Sequence, residues 1–395
     1  MNKNRKLRLL VMSDLHAVVN TDYSDDTHLV FKSDSSEFAD ALLDYIKDLN
    51  EDFDLLVCPG DIANKAQPGS FLQGWKTLNK FAEELKIPEL ICVPGNHDHE
   101  SRRNEGVFDP KHKLQFCEPR FPRNNFDECT HFWAWHWCPI INEDYNAVII
   151  NSSAYHGFYD ENDHGRVAIE VSKQIGDFIK SDKFQEKPIN FLLCHHHPSR
   201  MDYVDEDYDF EVMDGAAQLI RKIEDSDKGP WMIIHGHKHF PEIRYSQSQS
   251  VEPIVALSAG SVSAKLHPAL MNKTSNQFYI ISVDIEKTEK YGKAIGEFET
   301  HEWTLKEGWH PSKSENLPAK GGFGSPSSPQ EIANQIKNLF ASKSEPFLEQ
   351  SDLSGISSDI AYLSPTDFKR LISKLEKIGF ATETVGSEII QVGKS

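Results

Sequence analysis

The chain has 395 residues, of which 38% are hydrophobic, 10% aromatic and 26% charged, a balance that fits a soluble globular protein and excludes fibrous and wholly disordered classes. Its 61 Asp and Glu outnumber 42 Lys and Arg for a formal charge of -19, a field that repels long polyanions unless metals or a local basic patch intervene. The length exceeds that of a usual single domain, so one large domain with a smaller appendage is expected.

Leu7 to Met12 reads as a short apolar strand that delivers Ser13-Asp14-Leu15-His16 at its end. A polar segment, Asn20 to Ser36, precedes a helix in which Phe38, Leu42, Leu43, Tyr45, Ile46 and Leu49 recur at helical spacing, with Ser35 or Ser36 as N-cap. Phe53 to Cys58 is a second strand, ending in Pro59-Gly60-Asp61-Ile62-Ala63-Asn64, and Leu72 to Leu85 is a second amphipathic helix. The third strand, Leu90-Ile91-Cys92-Val93, is broken by Pro94-Gly95 and runs into Asn96-His97-Asp98-His99. This alternation of strand, polar turn and helix predicts βαβ units, and the carboxyl edge of such sheets is where ligands bind.

Glu100 to Thr130 is charged and Pro-containing, and is expected to be an irregular lid or insertion. His131 to Trp137 alternates strictly and is predicted as a strand whose aromatics pack a core. Ala147 to Ile150 is another apolar strand, followed by a helix through Val171, Ile175, Phe178 and Ile179. Ile189 to Leu193 ends in Cys194-His195-His196-His197-Pro198. An acidic, Tyr-rich loop from Asp202 to Glu211, a helix from Ala216 to Ile223 and a strand from Trp231 to Ile234 lead to His235-Gly236-His237-Lys238-His239. Nine of the 18 histidines thus lie in four short stretches that each follow an apolar run, a placement that solvated faces do not produce.

Ile254 to Leu257, Gln277 to Ile285 and Ala294 to Thr304 read as strands without intervening helices, predicting a second, antiparallel sheet or edge. Gly308 to Gln330 is rich in Gly, Pro and Ser and is predicted as a mobile linker, dividing a large domain over 1–307 from a small α+β module over 331–395. In that module Ser364 is a candidate N-cap before Pro365, Phe368, Leu371, Ile372, Leu375 and Ile378 form a buried stripe, and Gly379 suits the helix end. A hairpin over Ala381 to Val392 makes a winged-helix-like module one reading and simple packing on the large domain the other. The six cysteines form no C-x-x-C pair and three of them end apolar runs, so buried free thiols in a reducing cytoplasm are expected. The apolar stretch near the N-terminus is too short for a signal peptide, no segment approaches membrane-spanning length, and no membrane partner is expected.

The ordered series Asp14-x-His16, Gly60-Asp61, Gly95-Asn96-His97-Asp98, His195-His196 and Gly236-His237-x-His239 resembles the calcineurin-like metallophosphoesterase superfamily over about residues 7 to 285. The resemblance implies an α/β, two-sheet sandwich flanked by helices, with two divalent metals at one edge of the sheets. By resemblance Asp61 bridges the ions, Asp14, His16 and His239 complete one, and Asn96, His195 and His237 complete the other. The run of three imidazoles leaves His195 or His196 as the ligand, with His195 preferred because it comes straight off the strand. Two ions roughly 3.5 to 4 Å apart clamp a phosphate's oxygens and turn a shared water into hydroxide near neutral pH. Imidazole, carboxylate and amide oxygen suit Mn, Fe, Zn or Ni, with Mn favoured.

His97 lies beside a ligand without, by resemblance, being one, and is the candidate general acid, with Asp98 as its orienting carboxylate. The residues after Asp61 lack the Asp-Arg-Gly continuation of eukaryotic protein Ser/Thr phosphatases, and the layout looks closer to bacterial phosphodiesterases of the superfamily. The preferred expectation is therefore a phosphodiesterase acting on a nucleotide, cyclic nucleotide or other small diester. A metal-dependent nuclease that grips nucleic acid with its C-terminal module is the second expectation, and a non-catalytic scaffold the third. That module could also serve an oligomer or a protein partner.

Overall fold

The computed structural model describes residues 5–19, 25–100, 109–157, 164–201, 212–246, 253–314, 316–343 and 346–394. The expected loop from Asp202 to Glu211, and parts of the expected polar segment and lid, lie outside the described residues. The first half of the chain runs β1 (Lys6–Val11), α1 (Glu37–Asp48), β2 (Leu55–Cys58), α2 (Ser70–Glu84), β3 (Glu89–Cys92), α3 (His112–Gln115), α4 (Phe126–Trp135), β4 (Trp137–Ile141), β5 (Tyr145–Ile150) and α5 (Ile169–Lys180). It continues through β6 (Ile189–Leu193), α6 (Ala216–Glu224), β7 (Trp231–His235), β8 (Glu242–Tyr245), β9 (Val255–Ser258), β10 (Asn276–Asp284), α7 (Ile285–Tyr291), β11 (Gly296–Thr304), β12 (Gly308–Pro311) and β13 (Lys320–Phe323). The last part comprises α8 (Pro329–Ser342), β14 (Phe347–Glu349), α9 (Ser357–Ala361), α10 (Pro365–Lys377), β15 (Phe380–Val385) and β16 (Glu388–Lys394).

Two mixed sheets face each other. The first has the order β12-β11-β10-β1-β2-β3, with β13 also on β11, and the second the order β4-β5-β6-β7-β9-β8. Strands β1, β2 and β3 run parallel, as do β5, β6, β7 and β9, so each sheet sends several strand ends to one edge. Strand periodicity explains the layering. In β1, Leu9 and Val11 enter the core between the sheets with Val57, Ile149, Leu193 and Leu257, whereas Leu10 packs outward with Leu42, Ile46 and Trp75 of α1 and α2. On the far side, α5 and α6 bury Ile175, Ile179 and Leu219 against Leu192 and Ile233. Each fully buried aliphatic side chain of this kind contributes about 1.5–3 kcal/mol.

The structure departs from the sequence expectations in several places. The alternating run His131 to Trp137 is mostly helix: Asn125 caps α4 by accepting from the Asp127 and Glu128 N–H groups, Phe132 is buried, and Trp135 is 51% exposed. The run from Glu100 to Thr130 contains α3 and the start of α4. Strands β10 and β11 make the expected antiparallel edge, on the first sheet, whereas β9 departs from it and joins the second sheet parallel to β7. Residues 308–330, expected to be a mobile linker, supply β12 and β13 to that edge. The reason is local: Leu317 and Phe323 are buried in the core between the sheets, and Gly296 and Gly321 leave room for the rings of Phe323 and Phe298.

The C-terminal part has its own core, in which α8 and α10 pack Ile336, Phe340, Leu371 and Leu375 against Leu348 and Val392 of the three-stranded sheet β14-β16-β15. Ser364 caps α10 by accepting from the Asp367 N–H, and Gly379 follows at positive φ, as expected. Ile378 is 42% exposed and stands outside the stripe. This unit is docked on the large domain: the Tyr362 hydroxyl donates to buried Asp284 Oδ2 at 2.8 Å, and the Gly322 and Ser325 N–H groups donate to the Leu363 and Tyr362 carbonyls. All six cysteines are buried free thiols. Among the described residues no helix is long and apolar enough to cross a membrane.

Candidate metal centre

The five motifs all follow parallel strands and converge on one edge of the sandwich. Loops after β1, β2 and β3 carry Asp14 and His16, Asp61, and Asn96 to Asp98, while loops after β6 and β7 carry His195, and His237 with His239. The backbone there is unusual. Asp14, His16, Asp61, His237 and His239 all have positive φ, between 46° and 77°. For non-glycine residues this costs free energy and clusters at functional sites. Close approach sets the glycines between them: a Cβ on Gly95 would lie 2.1 Å from Asp61 Oδ1, and one on Gly236 would lie 2.3 Å from Asp14 Oδ2.

One candidate set is compact: single potential ligand atoms of Asp14, His16, Asp61 and His239 all lie within 4.8 Å of one another. His239 Nε2 is 3.1 Å from Asp14 Oδ1, His16 Nε2 is 3.5 Å from Asp61 Oδ2, and the two Nε2 atoms are 3.2 Å apart. A second group adjoins it through Asp61. His195 Nε2 is 3.3 Å from Asp61 Oδ2 and 3.1 Å from Asn96 Oδ1, which in turn is 3.2 Å from His237 Nδ1. His195 Nδ1 donates to the Pro59 carbonyl at 2.8 Å, which turns the Nε2 lone pair toward Asp61. His196 instead directs Nδ1 to Ser152 Oγ at 2.9 Å, so His195 is the imidazole brought to Asp61.

Electrostatics agree with a cation between these groups. Burial alone would raise the Asp14 carboxyl, yet His239 and hydrogen bonds from His16 and His239 hold it well below the usual carboxylate range. Asp61 is likewise lowered against its burial, chiefly by His195 and His97. Burial opposes a charge on His195, but Asp61 beside it pushes the imidazole up to about 9, and His16 is raised for the same kind of reason. Two ionised carboxylates thus draw protons onto imidazoles whose lone pairs a divalent ion would otherwise engage. Carboxylate, imidazole and amide oxygen with no thiolate among them fit a borderline divalent ion.

His97 stands at the rim of this set. Its main-chain N–H donates to Asp61 Oδ1 at 2.8 Å, and its Nδ1 accepts the Lys65 N–H at 3.3 Å and lies 3.2 Å from Asn64 Oδ1. The expected pairing of Asp98 with this ring takes another form. The Asp98 carboxylate accepts from the Ala63 and Gly95 N–H groups at 2.7 and 2.8 Å, bracing the two loops, and burial with Asp61 nearby pushes it up to about 7. Sequence reasoning gave no role to Asn64, although a buried amide in an otherwise apolar Ile-Ala-Asn turn was the available signal. Asp26, which accepts from Asn64 Nδ2, had none.

Residues 7–241 match the family model described as calcineurin-like phosphoesterase. The chain belongs to that family. This calcineurin-like phosphoesterase is accordingly a metallophosphoesterase hydrolase, of a family that binds two divalent metals. A second model, wHTH-Calcineurin_assc, matches residues 321–377, so the C-terminal unit is of the winged helix-turn-helix type. No curated protein sequence matches the chain. Solved structures similar to it include a dimetal phosphatase from Danio rerio, with 12% identity, 70% of this chain and 94% of that one covered, and a TM-score of 0.47. A purple acid phosphatase from yellow lupin (Lupinus luteus) seeds shows 15% identity, 76% and 52% coverage and a TM-score of 0.44. The calcineurin-like phosphoesterase YfkN from Bacillus subtilis shows 13%, 78%, 88% and 0.37.

Proposed function

We propose that the chain is a dimetal phosphodiesterase acting on a nucleotide, cyclic nucleotide or other small diester, with Asp14, His16, Asp61 and His239 at one metal position, Asp61, Asn96, His195 and His237 at the other, and His97 as general acid. The observation that carries this reading is the bond from the His97 main-chain N–H to Asp61, which holds this histidine beside the shared carboxylate. Two divalent ions, Mn favoured, would supply Lewis-acid charge to the phosphoryl oxygens and acidify water at the site. The protein's part is positional. Asp61 is aimed by His97 N–H, Asp14 accepts the His237 N–H at 3.2 Å, and His195 is aimed by Pro59. As water attacks phosphorus and the bond to the leaving oxygen breaks, His97 Nε2 gives that oxygen its proton.

A diester is favoured over a monoester because a monoanion asks for less positive charge than a dianion. The lysine next to Asn64, Lys65, already has its charge met by Asp26 at 2.7 Å, and the chain carries -19 overall. Buried thiols throughout agree with a cytoplasmic setting. The test is a panel with the Mn-loaded chain, comparing bis-(p-nitrophenyl) phosphate, cyclic nucleotides, p-nitrophenyl phosphate and DNA. The reading expects diesters to be preferred, and a clear preference for the monoester contradicts it. The wHTH-type unit favours a second reading, a nuclease, since α10 exposes Lys369, Arg370 and Lys377. DNA retention that falls steeply with salt would support it.

A further inference from the structure

We propose that His99, paired with Asn151, is a positioning residue: their buried bond across the edge of the sandwich sets the spacing of Asn96 from His195 and with it the affinity of the second metal position. The inference rests on the two-metal reading given above. Neither residue is a candidate ligand. His99 is 0% exposed and ends the loop after β3 of the first sheet that carries Asn96, and Asn151, 1% exposed, is the first residue after β5 of the second sheet. Asn151 Oδ1 accepts the Ser153 N–H at 3.1 Å, which fixes which end of the amide is oxygen and turns Nδ2 toward His99 Nε2, 3.4 Å away. An amide nitrogen only donates, so Nε2 offers its lone pair and the ring proton sits on Nδ1. There it donates to the Gly95 carbonyl at 3.0 Å, a group that only accepts, so both ends of the ring require the same tautomer. Burial pushes the imidazole down to about 3, and the ring is neutral.

These bonds reach the metal position from two sides. Gly95 is held at both main-chain groups by side chains, its N–H by Asp98 at 2.8 Å and its carbonyl by His99. The next residue is Asn96, whose Oδ1 lies 3.1 Å from His195 Nε2. On the opposite sheet Ser152, which follows Asn151, accepts the His195 N–H at 3.3 Å through Oγ. The Asn151-Ser152 turn thus holds Asn96 through His99 and His195 directly, although it carries no ligand itself. Among the described residues, no hydrogen bond or ring contact of His99 or Asn151 reaches Asp14, His16 or His239. Loss of the pair should therefore weaken one metal position and spare the other.

The test uses the full chain carrying His99→Leu. Calorimetric titration of the metal-stripped protein with Mn²⁺ alone should show one of two binding steps weakened by about 10–100-fold, the usual worth of a group that orients a metal ligand, and the other within twofold of wild type. The weakened step should be the one that His237→Ala abolishes. Asn151→Leu should weaken the same step, and H99L/N151L should bind no more weakly than the weaker single variant, since one bond joins the two residues. His99→Gln, which offers both a donor and an acceptor, should recover most of the affinity. If H99L does not fold, N151A is read in the same way. Equal weakening of both steps, as a general loss of structure would give, or both steps within twofold of wild type, overturns the proposal. A wild-type chain that binds a single ion would end the two-metal reading itself, and the proposal with it, before any variant is compared.

Discussion

His16 Nε2 faces His239 Nε2 at 3.2 Å, with the two rings edge-on and their centroids 5.0 Å apart. Two imidazole nitrogens this close, flanked by the Asp14 and Asp61 carboxylates, are best satisfied by a cation between them. Stripping metal with a chelator should therefore destabilise the fold. At a free ion concentration of 100 times Kd the bound ion adds about 2.7 kcal/mol. Scanning calorimetry should show Tm fall by several degrees after chelation and recover on adding Mn²⁺; an unchanged Tm would mean that no ion binds there.

His97→Asn should lower turnover of diesters with poor leaving groups by about 10²–10⁴, the usual contribution of a general acid. Aryl leaving groups that depart without a proton should lose far less. Bound metal, counted by elemental analysis, should stay at the wild-type level. Equal losses on both substrates would place His97 outside proton transfer.

The meeting of the candidate ligands was legible because each follows a buried strand. Apolar runs such as Leu55–Cys58 and Ile189–Leu193 read as strands in the sequence, and the polar residues after them had to meet at one sheet edge. What stayed hidden depends on contacts between distant segments. The Asp98 carboxylate is spent on the Ala63 and Gly95 N–H groups, a partner choice no spacing encodes. Residues 320–323 read as a flexible Gly-rich turn because the partners of Phe323 and Gly321 lie on β11. The helix over 126–135 was obscured by an accidental alternation of aromatics, although Asn125 followed by Asp127 and Glu128 is a helix start.

The C-terminal unit should report its docking through Tyr362. This residue is buried, its hydroxyl donates to Asp284 Oδ2, and its ring lies 4.3 Å from Lys287 Nζ. Tyr362→Phe leaves a buried carboxylate oxygen without that donor, a loss of about 1.5–3 kcal/mol for a hydrogen bond to a charged group. Thermal unfolding should begin a few degrees lower, and limited proteolysis between β13 and α8, near residues 324–328, should speed up. Hydrolysis of a small diester should be unaffected, because the Tyr362–Asp284 contact lies outside the ligand set. No change in stability would show that the unit is held by its other contacts alone.

His301 should make the protein acid-sensitive. Burial pushes its imidazole down to about 4, with Lys320 adding to the effect; the ring stacks on Phe278 at 4.8 Å and meets the Tyr45 hydroxyl through Nδ1. Between about pH 6.5 and pH 4 the unfolded chain takes up a proton that the folded chain refuses, so stability falls as pH drops through that window, by up to roughly 1.4 kcal/mol per unit. In urea titrations, His301→Phe should lose less stability than wild type from pH 7 to pH 4.5. Parallel losses in the two proteins would mean that His301 is not a source of the acid sensitivity.

The central claim is that two ions share Asp61, whose Oδ2 lies 3.5 Å from His16 Nε2 and 3.3 Å from His195 Nε2. The direct measurement is a titration of metal-stripped wild type and Asp61→Asn with Mn²⁺, following bound metal and diester hydrolysis in the same samples. Wild type should bind two ions per chain, with hydrolysis appearing as the second site fills. D61N should keep its fold, bind fewer ions and lose roughly 10³-fold or more in rate, since Lewis-acid stabilisation is worth several kcal/mol. Hydrolysis by the stripped protein, a single bound ion at full activity, or D61N turning over at the wild-type rate would contradict it.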